Sequence, residues 1–179
     1  MKMMEMRVGA IGIDKDSGQS VVLLRDAENR RALPIWIGLA EVKAITHAVR
    51  NVVSPRPSTH DLLYTTIKQL GCEIKEVVIA QIKGDTFIAD IVLRKQESDD
   101  DSATITLDAR PSDAIALAAM CEAPVLVAHE VLAQAGICAN PELEQKEAME
   151  FKSFVDAVKA SDFNLAGKIE LPGDDFEVD

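Results

Sequence analysis

Val77-Val78-Ile79-Ala80-Gln81-Ile82-Lys83-Gly84-Asp85-Thr86-Phe87-Ile88-Ala89-Asp90-Ile91-Val92-Leu93 is a pair of apolar-rich arms on either side of a Gly-Asp dipeptide. Val77, Ile79 and Ile82 mark the first arm; Phe87, Ile91 and Leu93 mark the second. Glycine at the junction supplies the positive φ that tight hairpin loops require. The stretch therefore predicts a long antiparallel hairpin. Residues 96–102 lead onward to a third predicted strand at 103–107. Asp99, Asp100 and Asp101 fall in that connection, as a solvated loop tip or a weak cation site needing further oxygen ligands.

Upstream, residues 6–13, 21–24 and 32–37 predict three more strands, separated by turns at 14–19 and 27–30. Pro34 cannot donate a ladder hydrogen bond, which marks its strand as an edge or a bulge. Leu39, Val42, Ile45, Val49 and Val52 recur at helical spacing, predicting a helix over 39–53 that is stopped by residues 54–57. A second helix is expected over 60–70, capped by Thr59 or Ser58 and closed by Gly71. A third helix follows over 112–120, then a strand at 124–128 and a helical turn at 131–134. Hairpins interspersed with helices, without regular βαβ units, give an α+β fold.

Residues 141–160 are helical in pattern but polar, with Met149, Phe151, Phe154, Val155 and Val158 as a thin apolar stripe, and residues 165–179 read as frayed. The expected organisation is a domain over 1–138 followed by an acidic helical extension and flexible tail over 139–179. The formal net charge is -11. Residues 142–179 hold 11 acidic and 4 basic side chains, so most of the excess lies there. No basic stripe appears, which disfavours nonspecific binding to phosphate backbones. Cys72, Cys121 and Cys138 are widely spaced, arguing against a disulfide framework or a zinc site. With no long apolar run and no leader-like N-terminus, the expectation is a cytoplasmic protein without membrane association.

The phrase Arg-Pro-Ser, followed shortly by Asp, occurs twice: Arg56-Pro57-Ser58-Thr59-His60-Asp61 and Arg110-Pro111-Ser112-Asp113. Each stands where a helix begins. Proline holds the preceding Arg extended, and the unpaired N–H groups of a helix N-terminus favour anions. Arg56 and Arg110 are candidate phosphate clamps, with Ser112 as a further substrate contact. His60 is the candidate proton-transfer group, its unperturbed pKa of about 6.5 suiting neutral pH. Asp61, Asp108 and Asp113 are candidate catalytic carboxylates; with Glu41 they are also a candidate Mg²⁺ set, because Mg²⁺ takes oxygen ligands. The competing reading is structural. Carboxylates in first helical turns stabilise the helix without any substrate, and Asp108 with Arg110 would pair to order a strand-to-helix corner.

Three segments together resemble the bifunctional nuclease domain family: Leu33-Pro34-Ile35-Trp36-Ile37-Gly38 with Glu41, residues 56–63, and the eleven residues from Asp108 to Ala118. The resemblance covers about residues 8–136. It implies an α+β domain whose antiparallel sheets pack around a central helix, and nuclease activity towards RNA and DNA. In this chain Met120-Cys121 stands where an Arg is common in that family. Two functions remain open: a phosphodiester-hydrolysing nuclease, or a non-enzymatic homodimeric regulatory module whose cleft takes an anion or a partner's acidic group. Trp36, on the strand marked by Pro34, points to a homodimer contact.

Overall fold

The computed structural model describes residues 2–15, 17–95, 104–140 and 149. Among the described residues eight strands and four helices follow the order β1 (Met3–Ile13), β2 (Ser20–Arg25), β3 (Arg31–Ile37), α1 (Leu39–Val49), α2 (Thr59–Gln69), β4 (Cys72–Lys83), β5 (Thr86–Lys95), β6 (Thr104–Ala109), α3 (Pro111–Cys121), β7 (Val125–Ala128), α4 (His129–Ala135) and β8 (Ile137–Cys138). The fold class is α+β, as expected. The acidic triplet at 99–101, the predicted helix over 141–160 except Met149, and the tail lie outside the described residues.

The strand order is β6-β5-β4-β7-β1-β2-β3-β8. Every pairing is antiparallel except β4 with β7. β1 serves two neighbours: Met3 to Met6 pair with β7, while Arg7 to Ile13 pair with β2. A register shift between Val8 and Ala10 inserts a bulge near that handover. Such bulges bend a strand and increase its twist, letting one strand turn between neighbours.

The predicted hairpin forms β4 and β5, with Lys83 opposite Thr86 and Gly84 at φ 60°. An extra residue between Ile74 and Glu76 keeps Cys72 and Ile74 on the same buried face as Val77 and Ile79. Without that bulge the period of two would turn one of these pairs towards solvent.

α3 is the central helix. Ala114, Ile115, Ala116, Leu117 and Ala118 are all buried, and the helix packs against α1, α2, β3, β4 and β5. Its alanines permit close approach on several sides, while Ile115 and Leu117 each contribute about 1.5–3 kcal/mol of apolar burial. Glu122 ends the helix in the left-handed region at φ 55°. α1 stops earlier than expected because Asn51 turns left-handed at φ 52° and the Val52 N–H closes back on the His47 carbonyl. Asparagine tolerates that conformation better than most residues, so the apolar period continued past the true end.

β8, which was not expected, covers β3 only at Arg31 and Ala32. Pro34 therefore stands on a stretch of β3 paired to β2 alone, in keeping with its lack of an N–H. Trp36 is half exposed, and its Nε1 donates to Asp14 Oδ2 at 3.3 Å.

Candidate functional site

The first turns of three helices meet. Arg110 is the N-cap of α3, held extended at φ -67° and ψ 142° by the proline that follows, and Pro111 fills the first helical position. Asp113, two residues further, lies within reach of the Arg110 side chain. Arg110 Nε donates to Asp113 Oδ2 at 2.7 Å and Nη2 donates to Oδ1 at 3.0 Å, a two-pronged contact that fixes both groups. The remaining prong, Nη1, lies 2.9 Å from Glu41 Oε1. Glu41 comes from the first turn of α1 and folds back over Gly38, where a Cβ would lie 2.5 Å from Oε2. Only glycine leaves that space open.

His60, from the first turn of α2, completes the chain. Its Nε2 lies 2.9 Å from Asp113 Oδ1, and the side chains of His60 and Asp113 are both mostly shielded from solvent. Burial pushes the Asp113 carboxyl upward, but hydrogen bonds and charge from Arg110 and His60 outweigh it and hold the group below its ordinary value. Arg110 is correspondingly raised, chiefly by its hydrogen bonds to Asp113. An ionised carboxylate only accepts hydrogen bonds, so His60 Nε2 carries a proton and Nδ1 is the nitrogen left to accept one in the neutral ring.

His60 also lines a cavity of about 830 Å³, together with Lys43, His47, Arg56, Asp61 and Met120. Lys43 and His47 stand four residues apart on one face of α1. No carboxylate pairs with Lys43 or Arg56 among the described residues. Asp61, the acidic residue of this lining, is committed to a capping box: its carboxylate accepts from the Ser58 N–H at 2.7 Å while Ser58 Oγ accepts from the Asp61 N–H at 3.3 Å. Those bonds to Ser58 lower its pKa. An acidic chain thus concentrates unpaired cations on one concave surface.

The structure joins Glu41, His60, Arg110 and Asp113 directly, and places Arg56 and Asp61 on the adjoining cavity wall. It does not bring in Asp108. That residue lies exposed on β6 opposite Asp90, and the expected Asp108–Arg110 pair does not form, because Arg110 is engaged by Asp113 and Glu41 instead. Ser112 is buried at the second position of α3 and so does not face a substrate. Asp61, Asp108, Asp113 and Glu41 do not converge as the expected Mg²⁺ set; among the described residues no three His, Cys, Asp or Glu side chains could hold a metal ion together. His47 and Lys43 were given no role from the sequence, and Gly38 appeared only as the end of the Leu33–Gly38 segment. The one visible signal was the basic i, i+4 pair Lys43 and His47 on α1.

A model of the bifunctional nuclease domain matches residues 22–140. An uncharacterized protein of Mycobacterium tuberculosis is 38% identical over 167 residues, covering 89% of this chain and 97% of that one. Bifunctional nuclease 2 of Oryza sativa subsp. japonica is 32% identical over 122 residues, 68% of this chain and 37% of the rice protein. Bifunctional nuclease 2 of Arabidopsis thaliana is 27% identical over 108 residues, covering 60% of this chain and 32% of the plant protein. The chain thus spans about a third of the plant relatives and nearly all of the mycobacterial one. With the matched region containing the whole of the helix-start cluster, this chain belongs to the bifunctional nuclease domain family.

Proposed function

We propose that the protein is a nuclease cleaving phosphodiester bonds of RNA or DNA, with His60 as its proton acceptor. The observation that carries this reading is the part-buried His60–Asp113 contact, braced by Arg110 and Glu41, at the rim of a cavity lined by unpaired Lys43 and Arg56. Asp113 holds Nε2, leaving Nδ1 to take a proton from the attacking nucleophile, while Arg56 and Lys43 neutralise the non-bridging phosphate oxygens. Arg110 has both faces of its fork engaged by carboxylates, so it positions Asp113 rather than clamping phosphate.

The direct test is cleavage of single-stranded RNA and DNA by the wild-type protein and by His60→Gln, purified in parallel. Loss in the variant with an unchanged thermal midpoint is the expected result. Equal weak cleavage in both preparations would point to a contaminant and favour the second reading, a non-enzymatic module binding an anion or an acidic partner. That alternative gains support from Glu41 and Asp113 both being engaged by Arg110, as in a satisfied structural network.

The open stretch of β3 carrying Trp36 is a homodimer contact, checked by light scattering against the 19.4 kDa of one chain. Among the described residues no helix is long and apolar enough to cross a membrane, and the three free thiols suit the reducing cytoplasm. The acid-rich residues after 138 form a modulatory appendage that repels nucleic acid, an effect that added salt would screen.

A further inference from the structure

A single phosphate group would occupy a small part of the cavity beside His60. At about 830 Å³ the cavity is of the size that encloses a whole small ligand. It therefore has room for a nucleotide next to the bond being cut. A strand carries a phosphate at every nucleotide, so that nucleotide brings a second phosphate with it. The charges of the lining match this surplus. A phosphodiester carries one negative charge, whereas Lys43 and Arg56 supply two positive ones, neither with a carboxylate partner among the described residues. Asp61, the acid of the same lining, has its carboxylate turned to the Ser58 N–H. His47 is a further basic group there and has no part in the chemistry assigned to His60. It lies in the last turn of α1, partly buried, one turn beyond Lys43 on the same face, with Nδ1 3.5 Å from Ser54 Oγ. When the Ser54 hydroxyl donates to Nδ1, the proton of a neutral ring sits on Nε2, and a protonated ring also donates from Nε2. Either form presents a donor suited to a phosphate oxygen. The Asp61 carboxyl, held low chiefly by its bonds to Ser58, also feels the charge of both His47 and His60, which places the two rings around one carboxylate.

Resting on the nuclease reading, we infer that His47 and Lys43 form a second phosphate subsite, which holds the phosphate one nucleotide away from the bond being cut. The Lys43 ammonium has three donors, so it can bridge that phosphate and the scissile one. The subsite grips the strand rather than the reacting atoms. It therefore serves RNA and DNA alike and is independent of how the nucleophile is activated. A substrate with one phosphate leaves it empty, so the subsite sets the shortest strand that binds well. The second phosphate is either the neighbouring phosphodiester or a terminal phosphate group, both of which present the same non-bridging oxygens.

The test begins with calorimetry on the full-length protein, comparing thymidine 3′,5′-bisphosphate with the 3′- and 5′-monophosphates. The bisphosphate should bind about 10- to 100-fold more tightly than either, the gain expected from one hydrogen bond to a charged group. In His47→Gln that gain should fall to about threefold or less. The wild-type comparison decides the matter even where the variant does not fold. Cleavage is then measured in Mg²⁺ on dinucleotides with one phosphodiester, the same dinucleotides with a terminal phosphate, and trinucleotides, each in ribo and deoxy form. A second phosphate should lower KM with little change in kcat in both sugar series, and His47→Gln should erase that difference. A gain confined to trinucleotides identifies the neighbouring phosphodiester as the occupant; a gain shared by the terminally phosphorylated dinucleotides shows that a terminal group serves as well. Bisphosphate binding no tighter than monophosphate binding, or a gain that survives in His47→Gln, overturns the subsite and leaves the nuclease reading standing. Tight bisphosphate binding through His47 by a protein that cuts no polymer overturns the nuclease reading and keeps the two-phosphate site.

Discussion

The two Arg-Pro-Ser phrases are nearly the same words placed in different helical registers. At α2, Ser58 is the N-cap and Asp61 closes the capping box, so Arg56 lies before the helix, exposed and without a carboxylate partner. At α3, Arg110 is itself the N-cap and Asp113 reaches it from the first turn. The two extra residues, Thr59 and His60, account for the difference. In both helices the Asp settles at the third helical position, where a carboxylate meets unpaired backbone N–H groups and the positive end of the helix dipole. Fixing the Asp there pulls Arg110 into the network and pushes Arg56 out towards the cavity. One phrase becomes a brace and the other leaves a cation free for a ligand, with the inserted His60 bridging them.

The largest effect expected from breaking this arrangement is on turnover. His60→Gln should lower cleavage about 10²–10⁴-fold, the usual contribution of a positioned proton-transfer group, with little change in thermal midpoint. Comparable cleavage by that variant would remove His60 from the chemistry.

Next come the two aspartates, compared directly. Asp113→Asn should cost about 1–3 kcal/mol of stability, typical of lost hydrogen bonds to charged partners, and should also lower activity. Asp61→Asn, at an exposed cap, should cost less and leave the His60–Asp113 contact intact. Because the Asp113 pKa is lowered on folding, its stabilising contribution is present above its unfolded value, near 3.8, and is lost as pH falls through the lower folded value. The melting curves of wild type and Asp113→Asn should therefore separate at neutral pH and converge in acid. Separation that persists at low pH would contradict the assignment.

The two serines should differ in the opposite sense. Ser58→Ala removes a cap and should cost about 0.5–2 kcal/mol. Ser112→Ala, at a position that caps nothing, should cost less than Ser58→Ala. Chemical denaturation of the two variants checks this. Gly38→Ala, whose methyl would displace the Glu41 carboxylate from Arg110, should act mainly on activity. With its Arg110 partner largely exposed, the Arg110–Glu41 pair is worth no more than about 1 kcal/mol, so the midpoint should barely move while activity falls several-fold through looser positioning of Asp113. No change in activity would show that Glu41 is dispensable to the brace.

Much of this architecture was legible in the residues. Apolar alternation located the strands, Gly84 located the hairpin, and the phrase at 110–113 located the start of the central helix. What local patterns could not supply was pairing across the sheet. Nothing in Val125 to Ala128 says that this short strand runs parallel to β4 and antiparallel to β1, and the two residues of β8 carry too little pattern to detect. The site was legible to the same degree. His60 and Asp113 stood out because they lie in the repeated phrases, whereas the Glu41–Arg110 pair and the approach of His47 to the cavity depend on how α1 packs on α3. Asp108 was misplaced because proximity in sequence suggested a partner that a strand residue on the sheet edge does not meet.

The strand order carries one more consequence. On either side of β7 the chain makes the same construction: three antiparallel strands, β1 to β3 or β4 to β6, each followed by a helix with an acid in its first turn. Those two acids, Glu41 and Asp113, grip one guanidinium. Arg110 thus acts as a clasp between two similar halves, with His60 bonded to the Asp113 side of it. A shift of one half against the other would have to break the contact of Arg110 with Glu41 or with Asp113.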